Sequence, residues 1–183
     1  TDRPFREICY LGGADACYSE MISAKGIIYN SKKSMEMTDV SSLEPKTFIQ
    51  IFDSTPENFP IAMRMVEEKR AFYGFDINMG CPVKKVIKAG SGSALLKEPD
   101  KVRSIIKNAR AATKKSLSIK IRKGFDEPNG EVIAKIAEEE GADILVIHPR
   151  LKTEMFEGIS DLEFSKKIAS MLSIKVVHSG DIH

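Results

Sequence analysis

The run Asp76–Lys85, DINMGCPVKK, is the most distinctive stretch of this chain, and Cys81 is its most reactive side chain. It follows a predicted strand and sits between Gly80 and Pro82. Pro82 removes a backbone donor and stiffens the turn, while Gly80 lets the main chain approach a ligand closely. A loop cysteine is ordinarily structural, but a thiol held this way is presented rather than packed. Cys9, on a short predicted helix, and Cys17, within an apolar strand, read as packing residues. Three cysteines without CxxC spacing argue against a disulfide framework and against a cysteine-rich metal site. Reduced thiols and a cytoplasmic protein without metal are expected.

Other polar residues recur just beyond predicted strands. They are Ser19 and Glu20; Gln50 and Asp53; Asn78; Lys120 and Arg122; His148 and Arg150; then Ser179, Gly180 and Asp181. One polar strand end needs no explanation, because loops are wet. Six in succession, with Lys120 inside the apolar run Ile119–Ile121, favour a shared polar ligand at one rim. A lone histidine at a strand end is commonly structural; His148, two residues from Arg150, leans to ligand binding. His178 faces away from Ser179 and, like the terminal His183, is given no role.

These residues need a scaffold that brings strand ends together. Short β-branched or apolar runs alternate with longer helical periodicities. Strands are predicted over residues 14–19, 47–52, 74–78, 116–121, 143–148 and 174–179. Helices are predicted over 3–11, 56–70, 100–113, 130–140 and 162–172. The strand-to-strand step of about 30 residues is the βα rhythm, in which helical crossovers join parallel strands. Six such units without a GxGxxG turn favour an α/β fold of the TIM (β/α)8-barrel type, whose active sites lie at the C-terminal ends of the strands. Periodicity alone leaves the open, doubly wound sheet as the alternative. No linker or low-complexity segment divides the chain. No apolar run approaches a membrane span, and a net charge of +2 does not by itself mark a nucleic-acid binder.

NMGCP followed by Lys-Val, then GSGSALLKEP at Gly90–Pro99, resembles the central motif of the flavin-dependent tRNA dihydrouridine synthases. TDRPFR (1–6), SEMISAKG (19–26), IQIF (49–52), IKIRKGF (119–125), IHPR (147–150), MFEG (155–158) and SGDI (179–182) fall in the family's order. The resemblance implies an enzyme that uses FMN, reduced by NADPH, to pass a hydride to C6 of a tRNA uracil. It implies that Cys81 is the general acid delivering a proton to C5, a task suited to thiols, which free in solution titrate at about 8.5. It places Lys120 at the flavin pyrimidine, Gln50 and His148 at flavin contacts, and Ser179, Gly180 and Asp181 near its phosphate. Asn78, Arg122 and Arg150 fall to the substrate side. Lys84 and Lys85, beside Cys81, are expected to meet the tRNA backbone. The stripe Arg103, Lys107, Arg110, Lys114 and Lys115 reads as a solvated helix face.

The family pattern departs at both ends. A first strand is expected before Thr1, and a last strand with a helical tRNA-binding domain after Asp181, so the chain reads as a partial FMN-binding barrel. Pro149 stands where a small residue is usual. Two other readings stay open: an FMN-barrel reductase of free pyrimidines, and a non-catalytic RNA-binding remnant.

Overall fold

A computed structural model describes residues 1–182; His183 lies outside the described residues. Seven strands form one all-parallel sheet: β1 (Cys17–Tyr18), β2 (Ile22–Ser23), β3 (Thr47–Phe52), β4 (Gly74–Met79), β5 (Ser116–Gly124), β6 (Ile144–Leu151) and β7 (Lys175–His178). The order is β1-β3-β4-β5-β6-β7, with β2 also on β3. β1 and β2 are two pieces of one strand position. The predicted strand over 14–19 is therefore shifted and broken. Between the pairs Tyr18↔Phe48 and Ile22↔Ile51 this side spends one residue more than β3, a bulge. Ser19 repairs the gap, its Oγ accepting the Gln50 N–H at 2.9 Å.

The helices are α1 (Arg3–Leu11), α2 (Ala24–Ile28), α3 (Lys32–Glu36), α4 (Asn58–Glu67), α5 (Lys84–Lys88), α6 (Pro99–Ala112), α7 (Gly130–Glu139) and α8 (Leu162–Met171), with a 3-10 helix at Gly92–Lys97. The four long predicted crossover helices appear within a few residues of their expected bounds. Asp2 and Asp161 cap α1 and α8 by accepting the N–H groups of Phe5 and Phe164. The acids that close α7, an unfavourable end for a helix dipole, are used elsewhere. Glu139 and Glu140 pair with Arg103 of α6, and Glu138 accepts from Ser173.

Strand alternation explains both the core and the site. Ile49, Ile51, Phe75, Ile77, Leu117, Ile119, Leu145 and Ile147 join the helices in one buried apolar cluster on the convex side. The intervening residues face the concave side: Gln50, Asp76 and Ser118 stand in one row across the sheet, with Asn78 and Lys120 in the next. A curled parallel sheet with helices packed on one face is part of a TIM-type barrel. An open doubly wound sheet would carry helices on both. Among the described residues no helix is long and apolar enough to cross a membrane, and no cluster of three or more His, Cys, Asp or Glu could hold a metal.

Candidate functional site

At the C-terminal ends of β4–β7 the concave face opens into a cavity of about 510 Å³, within the range of small-molecule sites. Cys81 and Pro82 form one lip, Lys120 lies inside, and Phe156 and Gly180 close the far side.

The Cys81 loop is fixed from three directions. Its N–H donates to Asn78 Oδ1 at 2.9 Å, as does that of Gly80 at 3.1 Å. Its carbonyl accepts from Ser93 twice, from the backbone N at 3.1 Å and from Oγ at 3.0 Å. Arg122, only 2% exposed, donates from Nε to the Gly80 carbonyl at 3.0 Å. Gly92 makes the Ser93 contacts attainable. Its φ is +60°, and a Cβ there would sit 2.8 Å from the Cys81 carbonyl and 2.9 Å from Val86. The second half of the long motif is thus the packing partner of the first.

Charge inside the cavity is positive and poorly solvated. Burial lowers the Lys120 pKa and outweighs the opposing pull of Asp76, with Arg122 adding to the lowering. His148 falls to about 4, through burial first and then Arg122, Lys120 and Arg150, so its ring is neutral at physiological pH. Arg150 Nη1 lies 3.0 Å from His148 Nε2. A guanidinium can only donate, so Nε2 is the acceptor and the ring proton sits on Nδ1. Phe156, 69% exposed, stacks on His148 at 6.1 Å between centroids and lies under the Arg122 guanidinium at 5.3 Å.

Arg150 organises the far wall. It donates to the carbonyls of Glu157 (2.9 Å) and Gly158 (2.7 Å) and pairs with Asp181 at 2.7 Å. The Ser160 N–H and Arg150 hold the Asp181 carboxylate below its ordinary range. Gly180 has φ +106° and presses its main chain on His148: a Cβ would fall 2.7 Å from the ring.

The sequence matches the family described as dihydrouridine synthase (Dus) along residues 1–183. The chain belongs to the dihydrouridine synthase family. It is 39% identical over 185 residues to the tRNA-dihydrouridine synthase B of Klebsiella pneumoniae. It is 38% identical to those of Escherichia coli (strain K12) and, over 184 residues, Vibrio vulnificus (strain CMCP6). Each match covers 100% of this chain and 57% of the relative, so the chain spans little more than half the length of these relatives.

In this member of the dihydrouridine synthase family, nine residues expected from the sequence line the cavity: Cys81 and Asn78 from the β4 end, Lys120 and Arg122 from β5, His148 and Arg150 from β6, and Ser179–Asp181 after β7. Gln50 lies behind Asn78, bonded to it, rather than on the wall. Lys84 and Lys85 are exposed on α5, outside the cavity. Arg122 spends Nε and Nη1 on main-chain carbonyls, the latter on Leu151 and Met155. Much of its capacity is therefore structural. In the α6 stripe, Arg103 and Arg110 are tied to acids of α7 and Asp143, in keeping with a solvated face. Four contributors were missed by sequence reasoning: Met21, Phe156, Asp76, and His178, whose Nε2 meets the Gly180 carbonyl at 2.9 Å. Phe156 had a signal, since an aromatic inside the MFEG motif of a polar loop has no core to fill.

Proposed function

We propose that this chain is the catalytic barrel part of an enzyme that reduces uridine in tRNA to 5,6-dihydrouridine, with Cys81 as general acid. The observation that carries the reading is the Cys81 loop: a half-exposed thiol on the cavity lip, held through both its N–H and its C=O, beside a buried cation.

The residues fit a flavin mononucleotide. Lys120 and neutral His148 offer donors in a poorly solvated cavity, and Gly180 lines its far side. When bound, FMN reduced by NADPH supplies the hydride that goes to C6. Lys120 and His148 would hold the ring system, with Gln50 supporting that wall from behind through Asn78, and Ser179 and Gly180 would hold the phosphate end. Asp181 braces that end through Arg150 and the Ser160 N–H. Asn78 and Arg122 orient the uracil edge, with Arg150 keeping the wall closed. Cys81 gives its proton to C5, and the thiolate left behind is reprotonated from solvent. Lys84 and Lys85 meet the phosphate backbone next to the entering base. A tRNA-modifying enzyme works in the cytoplasm, and a helical tRNA-binding domain outside these residues completes the reading.

The test is Cys81→Ala in the full-length protein. The variant is expected to take up FMN and to bleach with NADPH as the wild type does, while dihydrouridine in tRNA, read by nucleoside mass spectrometry, falls by ~10²-fold or more. Undiminished dihydrouridine would remove Cys81 from the mechanism.

A further inference from the structure

Asp76 lies at the centre of β4 with none of its surface exposed, and the reaction proposed above gives it no task. Its Oδ2 accepts from Gln50 Nε2 at 2.7 Å, and Gln50 Oε1 accepts from Asn78 Nδ2 at 3.0 Å. Asn78 Oδ1 in turn accepts the N–H groups of Gly80 and Cys81. Every link runs the same way. Backbone N–H groups only donate and a carboxylate only accepts, so two primary amides between them satisfy both ends in one orientation alone. Flipping either amide would set donor against donor at one end and acceptor against acceptor at the other.

We propose that Asp76 is a positioning residue: its carboxylate ends and polarises a one-way hydrogen-bond chain through Gln50 and Asn78 that holds the Cys81 loop, and with it the thiol, in place. A second observation supports the need for charge. Asp76 Oδ1 is buried with no hydrogen-bond partner among the described residues. A carboxylate with one empty oxygen is a costly group to bury. Asparagine would serve simple packing at lower cost and could still accept from Gln50, but it carries no charge to polarise the chain. Hydrogen bonds in series strengthen one another in a poorly polarisable interior, so charge at one end is felt at the other.

The groups facing Asp76 are few. Gln50 comes from β3, Ser118 and Lys120 from β5, and Tyr18 from β1; β6 brings Ile144 and Val146 to the same face. Burial raises the Asp76 carboxyl to about 6, against the lowering effects of Ser118, Gln50 and Lys120. The same environment pushes the Tyr18 hydroxyl up to about 12, leaving it neutral. Protonation of Asp76 therefore falls in an accessible range, and it removes the charge that polarises the chain.

That the thiol so placed delivers a proton rests on the function proposed above; the placement does not. The experiment is an amide ¹H–¹⁵N titration of the full chain from pH 5 to 8. The Cys81 and Gly80 N–H resonances are expected to move together, downfield as pH rises, with a midpoint near 6. Asp76→Asn is expected to abolish the step. Gln50→Leu, which keeps the carboxylate and cuts the chain, is expected to abolish it at Cys81 as well. A wild type without a step, needing no variant to fold, would overturn the proposal. So would a step that survives Gln50→Leu, since the influence would then pass through space. Neither RNA nor flavin enters this measurement. An active Cys81→Ala enzyme would sink the functional reading and leave the chain standing, while a flat titration would do the reverse.

Discussion

Gly92→Ala separates packing against the active loop from backbone strain. At φ +60° an added Cβ costs roughly 1–2 kcal/mol from left-handed geometry alone. It also meets the Cys81 carbonyl at 2.8 Å, Val86 at 2.9 Å and Cys81 Cβ at 3.1 Å. The first of these is main chain held by two Ser93 hydrogen bonds, so it cannot swing away as a side-chain tip would. Overpacking of that kind adds roughly 1–3 kcal/mol, for a total of about 2–5 kcal/mol. Gly158 provides the control, with φ +66° and nothing within 4 Å of its added Cβ. Gly158→Ala should therefore show strain alone, about 1–2 kcal/mol. Urea unfolding of both variants gives the difference, provided the m-values match. Iodoacetamide labelling of the Cys81 peptide at fixed pH, read by mass spectrometry, is expected to change only in Gly92→Ala. Equal destabilisation of the two variants with unchanged Cys81 labelling would refute the packing argument.

Further expectations follow from the charges. Asp76 rises from its ordinary 3.8 to about 6 in the native state, so between those values the native chain keeps a proton the unfolded chain has released. Its contribution to stability is present below pH 4 and is lost as pH rises through 6. At ~1.4 kcal/mol per pH unit the loss is about 3 kcal/mol, and Asp76→Asn should lack it when urea midpoints at pH 4 and 8 are compared with wild type. His148, titrating at about 4, should show a neutral Nδ1–H imidazole at pH 6 in ¹⁵N spectra, and an imidazolium signal there would contradict the cavity electrostatics. Replacing Lys84 and Lys85 by Ala should weaken tRNA binding and reduce the salt dependence of log Kd by about one for each phosphate that a lysine no longer neutralises. An unchanged slope would place the RNA elsewhere.

The barrel rhythm was legible because each crossover helix is long enough to show its period. The helices at Ala24–Ile28, Lys32–Glu36 and Lys84–Lys88 were not, since five residues barely complete a turn. The first strand was misplaced because its ladder breaks at a bulge that Ser19 mends with a side chain, an event without a periodic signature. Most of the cavity residues were legible from their positions at strand ends. Asp76 was not, although a cue existed. Buried parallel strands normally read as continuous apolar runs, yet Gln50, Asp76, Asn78, Ser118 and Lys120 place polar groups on a single face at intervals of two. The contact between Gly92 and Cys81 joins segments 11 residues apart through a left-handed turn. That turn emerges only once the chain is folded.

The alternation of β4 imposes a rule on how such a protein can change length. Phe75 and Ile77 feed the helix-packed layer while Asp76 and Asn78 face the concave side, Asn78 at the cavity and Asp76 beneath it. A single inserted residue would exchange the two sets, sending a carboxylate into hydrocarbon and aromatic bulk into the site. Point substitutions on one face leave the other largely intact; insertions and deletions strike both at once. Away from bulges such as the one after Tyr18, the strands are therefore rulers of fixed length, and growth or shrinkage is confined to the connections between strand and helix.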